Sequence, residues 1–232
     1  MSIRYKDITY SLFQRKRRKT ASIHVERDGA VSVIVPDTLT TKEIERLIET
    51  KRRWIYRQLA EWQDLNATRV KREFVNGEGF LYLGRSYRLK MVQGQEKPLL
   101  LKDGYFCLRK AEQVKGNAEA AFREFYREKG LARIPDRVDI YQARIGVRPV
   151  LVRVMDLKNR WASCSSRKVA LNFHWKCMMA PLTVIDYIIV HELVHLLQPN
   201  HTPKFWAEVE KLIPDYVERK GWLRVYGAGM NL

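Results

Sequence analysis

Apolar and polar residues alternate from Ala21 to Val25 and again from Ala30 to Val35, on either side of Asp28-Gly29. A period of two puts successive side chains on opposite faces of a strand, and glycine permits the turn, so the pair predicts a β-hairpin. A helix is expected next. Thr40-Thr41-Lys42-Glu43 has capping-box spacing, and Ile44, Leu47, Ile48, Ile55, Leu59 and Trp62 form one helical stripe, read as core rather than cofactor surface. Strand signals return from Phe80 to Val92, interrupted by Gly84-Arg85, and from Leu99 to Leu108 around Asp103-Gly104. The first half therefore reads as a small α+β unit rich in antiparallel strands.

Around Gln113 to Gly116 the pattern turns polar and then changes to helical periodicity, which places a boundary between domains 1–115 and 116–232. Ala120, Ala121 and Phe125, then after a break Leu131 and Ile134, are spaced for a helix. Val138 to Ile145 predicts another, ended by Gly146. Val150 to Met155 and Val169 to Phe173 read as strands joined through Arg160-Trp161-Ala162-Ser163-Cys164-Ser165-Ser166. The apolar run Val184 to Val190 predicts a buried helix opened by Pro181. Thr202-Pro203 marks the N-cap and first position of the next helix, and Asp215 to Tyr226 is a last amphipathic piece. There is no internal repeat and no low-complexity tract. The fold class expected is α+β: a small N-terminal antiparallel-sheet unit with one helix, then a C-terminal unit of helices and strands.

Composition narrows the setting. An apolar content of 46% suits a chain that buries a real core. Cys107, Cys164 and Cys177 are odd in number and widely spaced, which argues against a disulfide framework and for a reducing compartment. No segment has the character of a signal peptide or approaches eighteen apolar residues, so a cytoplasmic protein without membrane contact is expected. The formal net charge is +17, with 25 basic and 14 acidic residues in 1–115 against 18 and 12 in 116–232. Arg15-Lys16-Arg17-Arg18-Lys19 is the densest cluster, followed by Lys51-Arg52-Arg53. Such charge steers a protein toward nucleic acid, nucleotides or acidic substrates, or is simply a solvated basic surface.

One stretch is built for chemistry. His191-Glu192-Leu193-Val194-His195 interrupts the most apolar helix of the chain. At 3.6 residues per turn, positions i and i+4 share a face, so both imidazoles reach one ion while Glu192 stands beside it as a free base. Burying two histidines and a glutamate without partners is costly, and a metal supplies the partner. Gln198-Pro199-Asn200 halts the helix and lets His201 swing back as third ligand, with Glu208 and Glu210 as rivals on the following helix. Three nitrogens and a water suit zinc best. Cys164 lies among serines, but no His–carboxylate pair attaches to it, and burial as a small apolar residue is expected. Arg160 and Trp161 are candidates for substrate contact, Trp161 equally for the core. His24 and His174 are read as non-ligands.

These residues together carry a resemblance. Trp161 to Ser166, Leu171-Asn172, Ile185-Asp186-Tyr187, His191 to His195 and Asn200-His201-Thr202-Pro203-Lys204-Phe205-Trp206 resemble the YgjP-like metallopeptidase family, relatives of SprT-type zincins. In the first half, Arg17-Arg18-Lys19-Thr20, Gly77-Glu78, Tyr82-Leu83-Gly84 and Tyr87 agree. The resemblance implies a zincin-like catalytic domain in which His191, His195 and His201 bind Zn2+ and Glu192 is general base and acid. Ala162 departs from it, since the family usually has glycine there; if that glycine serves close approach of a substrate strand, the extra methyl stands in the way.

Three functions compete on this reading. The first is a zinc metallopeptidase acting on peptides or proteins. The second is a zinc-dependent hydrolase of a nucleotide phosphoanhydride, drawn in by the positive surface. The third is a nucleic-acid-associated protein whose metal site localises its action or stabilises its fold.

Overall fold

A computed structural model describes residues 2–26, 28–66, 71–157 and 160–232, and for Leu65 and Asn66 the backbone alone. The chain divides into two compact units, residues 1–69 and 70–232.

In the first unit the predicted hairpin is joined by a second one. β1 (Ser2–Tyr5) and β2 (Ile8–Arg15) pair antiparallel across a Lys6-Asp7 turn, and β3 (Ser22–Val25) and β4 (Val31–Pro36) pair antiparallel across Asp28-Gly29. Gly29 has φ of 84°, and Ala30 N–H donates to Asp28 Oδ1 at 3.0 Å, which closes the turn. The sheet order is β1-β2-β4-β3, and β2 and β4 run parallel with Phe13 opposite Ile34. Alternation fixes which side chains face the core but not how a neighbouring hairpin lies. Two hairpins set side by side in the same sense meet along their second strands, and that contact is parallel.

Helix α1 (Thr41–Asn66) opens with the predicted capping box: Thr40 N–H donates to Glu43 Oε2 at 2.8 Å, and Glu43 N–H returns a bond to Thr40 Oγ1 at 3.4 Å. Its stripe covers the sheet. Ile44, Ile48 and Ile55 are buried against Ile8, Tyr10, Val31, Val33 and Val35, and Trp62 Nε1 donates to Val25 O at 3.1 Å.

The second unit starts with the same pattern. β5 (Gly79–Tyr82), β6 (Arg85–Val92), β7 (Leu99–Lys102) and β8 (Tyr105–Arg109) form a sheet in the order β5-β6-β8-β7, with β6 and β8 parallel. A topological repeat is thus present where the sequence alone shows none, because it survives only as alternation and turn position. The compositional change near residue 115 falls inside this unit, at the short helix α2 (Lys110–Val114) that joins β8 to α3 (Ala118–Ile145). The strands on one side of that change and the helix on the other share a single aromatic core, Phe80, Phe106, Phe122 and Tyr126.

Two helical pieces were expected between Ala120 and Ile145; one helix of 28 residues is found, running through Pro135 and ending at Gly146 with φ of 76°. Proline forfeits one helical hydrogen bond and costs about 3 kcal/mol. Burial of Ile134 and Val138 on either side holds the helix together.

A third sheet follows, ordered β10-β11-β9, from β9 (Leu151–Met155), β10 (Ala162–Ser165) and β11 (Ala170–His174). β9 and β11 are parallel, β10 and β11 antiparallel, so β10 is an edge. A 3-10 turn over Trp175–Met179 leads to α4 (Leu182–Val194), α5 (Pro203–Leu212) and α6 (Tyr216–Tyr226). The β5–β6 turn seats the start of α4. Leu83 N–H and Gly84 N–H donate to Met178 O and Met179 O at 2.9 and 3.1 Å, and a Cβ on Gly84 would lie 2.7 Å from Pro181 Cγ. Gly84 also has φ of 79°, so glycine is required there twice over. Among the described residues, no helix is long and apolar enough to cross a membrane.

Candidate metal centre

Helix α4 is apolar nearly all round: Val184 to Val190 are buried, as are Leu193 and Val194. A single ion pair holds its flank. Arg137 on α3 grips Asp186 through two guanidinium nitrogens, Nε to Oδ1 at 2.8 Å and Nη2 to Oδ2, with Asp186 only 5% exposed. The helix ends at Val194, earlier than Pro199 requires, with His195 as its C-cap; a turn follows in which Gln198 N–H donates to Val194 O at 2.8 Å, and the chain bends at Pro199-Asn200. Thr202 then caps α5 by accepting from Phe205 N–H at 3.4 Å, with Pro203 in the first turn.

This helix–turn–helix brings His191, His195 and His201 together. One ring nitrogen from each lies within 4.8 Å of the others, and His201 Nε2 is 3.0 Å from His191 Nε2. Nitrogens around a tetrahedral zinc stand about 3.3 Å apart, close to that pair. His195 Nδ1 lies 3.2 Å from Gln198 O; a carbonyl only accepts, so Nδ1 carries the hydrogen and Nε2 keeps its lone pair for a metal. Burial, the main cause, pulls all three imidazoles below their ordinary range, His191 to about 3, so they are neutral donors at pH 7. Glu208 and Glu210 are not in the cluster; Glu208 is paired with Lys211 at 2.6 Å.

Aromatic rings floor the cluster. Phe205 lies 4.6 to 4.9 Å from all three imidazole centroids, Trp206 stacks on His201 at 5.6 Å, and Tyr216 stacks on Trp206 at 5.2 Å. Lys220 Nζ sits 4.5 Å over the Trp206 ring and helps lower His191 and His201. Sequence reading missed Tyr216 and Lys220. Their spacing of four on α6 is the only trace they leave, and nothing in it points back to His201.

Glu192, next in sequence to His191, is buried, and desolvation raises it to about 7, opposed by the charge of Arg160 and by a hydrogen bond from the Cys164 backbone. That bond ties Glu192 to β10. Ser166 Oγ also donates to His195 O at 3.4 Å. The Ala162 methyl is buried with the main core, so it does not stand on the open edge of β10. Cys164 is half-buried, and burial together with Glu192 raises its thiol. Trp161 packs on the core, while Arg160 is exposed and acts on Glu192 through its charge. His174, buried and lowered to about 4, accepts from Lys176 N–H at 3.1 Å; His24 lies on the first sheet against Ser22.

The donor set of three neutral imidazoles fits a divalent cation of borderline character. One solved structure with detectable likeness is the metallopeptidase zymogen of Pyrococcus abyssi abylysin, at 26% identity and a TM-score of 0.36, covering 38% of this chain and 89% of that one. No curated protein matches. The family described as "YgjP-like, metallopeptidase domain" matches residues 19–226, nearly the whole chain, and the protein belongs to that family.

Proposed function

We propose that this metal-dependent hydrolase is a zinc peptidase in which His191, His195 and His201 hold the ion and Glu192 is general base and then acid. The observation that carries the reading is the convergence of three neutral imidazoles, the first of them next in sequence to a buried carboxylate. Bound there, zinc polarises the scissile carbonyl and lowers the pKa of its water toward about 7.

Glu192 takes a proton from the attacking water as the new C–O bond forms. The same carboxyl then hands that proton to the departing amine as the C–N bond breaks, so one water is consumed and Glu192 returns to its starting state. Its burial suits both steps, since a carboxyl raised to about 7 takes up a proton more readily than one at its ordinary value and still releases it near neutral pH. A positive ion beside it favours the carboxylate and so prepares the base. β10 stands at the edge of its sheet, and an extended peptide adding to that edge would lie beside α4.

Glu192→Gln is expected to keep zinc and lose activity on casein or an unstructured peptide by about 100-fold or more. Survival of activity within roughly tenfold removes Glu192 from this role. A second reading, hydrolysis of a nucleotide phosphoanhydride at the same site, is favoured by Lys220 and Arg160, which bring positive charge to it. Nucleoside triphosphates run beside peptides, each with zinc and with manganese, separate the two. The three cysteines are free thiols, which suits a reducing compartment, and a cytoplasmic location is part of the proposal.

A further inference from the structure

The sheet β5-β6-β8-β7 buries one face on α3 and presents the other to solvent, and that outward face is unusual in charge. Register places Tyr105 directly between Arg88 on β6 and Lys102 on β7, its partners in the parallel and antiparallel pairs. Lys90, two residues along from Arg88 on the same face, has Nζ 5.9 Å from the Tyr105 ring. The ring is 44% exposed, and all three cations are exposed.

Among the described residues none of Arg88, Lys90 and Lys102 forms an ion pair. Of the other outward positions, Gly79, Leu81, Ser86, Val92, Leu100 and Cys107 carry no charge, and Arg109 at the far end of β8 is paired with Glu112. Glu96 and Asp103 stand in the connections at the strand ends. Ordinary solvated surfaces mix both signs of charge. Three unpaired cations around one exposed ring instead match a polymer that alternates anionic groups with flat, stackable ones.

We propose that this face binds single-stranded nucleic acid, with phosphates on Arg88, Lys90 and Lys102 and a base stacked on Tyr105. The face is built of strands and not of a helix that could enter a duplex groove, while a base from a single strand can lie on a ring. A membrane surface is less well matched, because Tyr105 is the one large exposed apolar group on the face. An acidic peptide satisfies the cations and leaves the ring unused. The inference is independent of the proposed peptidase chemistry.

Fluorescence anisotropy of the full chain with a labelled mixed-sequence 20-nucleotide single-stranded DNA tests it, with the matching duplex and phosphatidylserine vesicles as competitors. Wild type is expected to prefer the single strand, with affinity falling as salt rises at about −0.7 per phosphate contacted, near −2 for three. Arg88→Ala/Lys90→Ala/Lys102→Ala should remove about that whole slope. Tyr105→Ala should weaken binding roughly 5- to 100-fold with the slope unchanged, and Tyr105→Phe should restore it, since stacking needs the ring and not the hydroxyl. Circular dichroism of each variant checks that the sheet is intact, and Tyr105→Phe keeps the test valid if the alanine variant misfolds. Chelating the metal should leave binding untouched. Equal binding by Tyr105→Ala and wild type, loss of binding in Tyr105→Phe, or a wild type that prefers duplex or vesicles overturns the proposal.

Discussion

Two stretches of this chain share one topology and differ in what the helix does afterwards. β1–β4 with α1, and β5–β8 with α3, each run hairpin, hairpin, helix, with the second strands of the hairpins paired in parallel at the middle of the sheet. α1 buries one stripe, Ile44, Ile48 and Ile55, and the aliphatic core beneath it is complete. α3 is buried twice. Phe122, Phe125 and Tyr126 cover its own sheet, while Gly130, Ile134, Val138 and Tyr141 continue into the packing around β9 and α4. At Gly130 a Cβ would stand 3.1 Å from Val154 Cγ1, so β9 comes up against the helix backbone. The lesson is that a strand-and-helix module becomes a scaffold for a site when its helix has a second buried face.

The sharpest way to break this comparison is to empty the two cores in turn. Phe122→Ala should cost about 3–5 kcal/mol and take metal affinity down with it, since the same helix supports α4. Ile48→Ala should cost about 2–5 kcal/mol in the first unit yet leave metal affinity and peptide hydrolysis unchanged. Denaturant unfolding with calorimetric metal titration reads both. Equal damage to the site from the two variants would mean that the modules are not separate in function.

Turns give a smaller effect. The hairpin turn of the first module, Lys6-Asp7, has as its counterpart Leu83-Gly84. Gly84→Ala combines a left-handed φ with a contact on Pro181, whereas Gly104→Ala has the same φ of 79° and nothing within 4 Å. Gly104→Ala is therefore expected to cost about 1 kcal/mol, and Gly84→Ala more, with weaker metal binding in Gly84→Ala alone.

Smallest is the pH dependence of the α1 cap. Hydrogen bonds from Thr40 hold the Glu43 carboxyl below its ordinary range, so it contributes stability above its unfolded pKa and loses it as pH falls through the lower folded value. The first unit should weaken on acidification below about pH 4, and Glu43→Gln should flatten that fall. An unchanged acid limb in Glu43→Gln would show that the cap does not titrate with folding.

What was legible in the sequence was local. The Asp28-Gly29 hairpin, the Thr40 capping box and the three histidines all announce themselves by spacing within about one or two helical turns or one hairpin. Pro199 even foretold how His201 returns. What stayed hidden depends on distant partners: β1 is four residues long and half exposed, the parallel pairs join strands across an intervening strand, and Pro135 is carried by packing that no local rule encodes. Lys220 and Tyr216 reach the histidines through Trp206, a route that exists only after α6 folds back.

One consequence of the Arg137–Asp186 pair concerns direction. A helix greasy on every side has many nearly equal orientations in its socket, because turning it merely exchanges one aliphatic contact for another. One residue of slippage on α4 would swing His191 through about 100° and aim it into the interior. The guanidinium fork recognises a single carboxylate position, so it acts as a key against rotation of the cylinder, together with the bonds that β10 and α6 make to it, and the compass bearing of the imidazoles is set in part by a residue on a different helix.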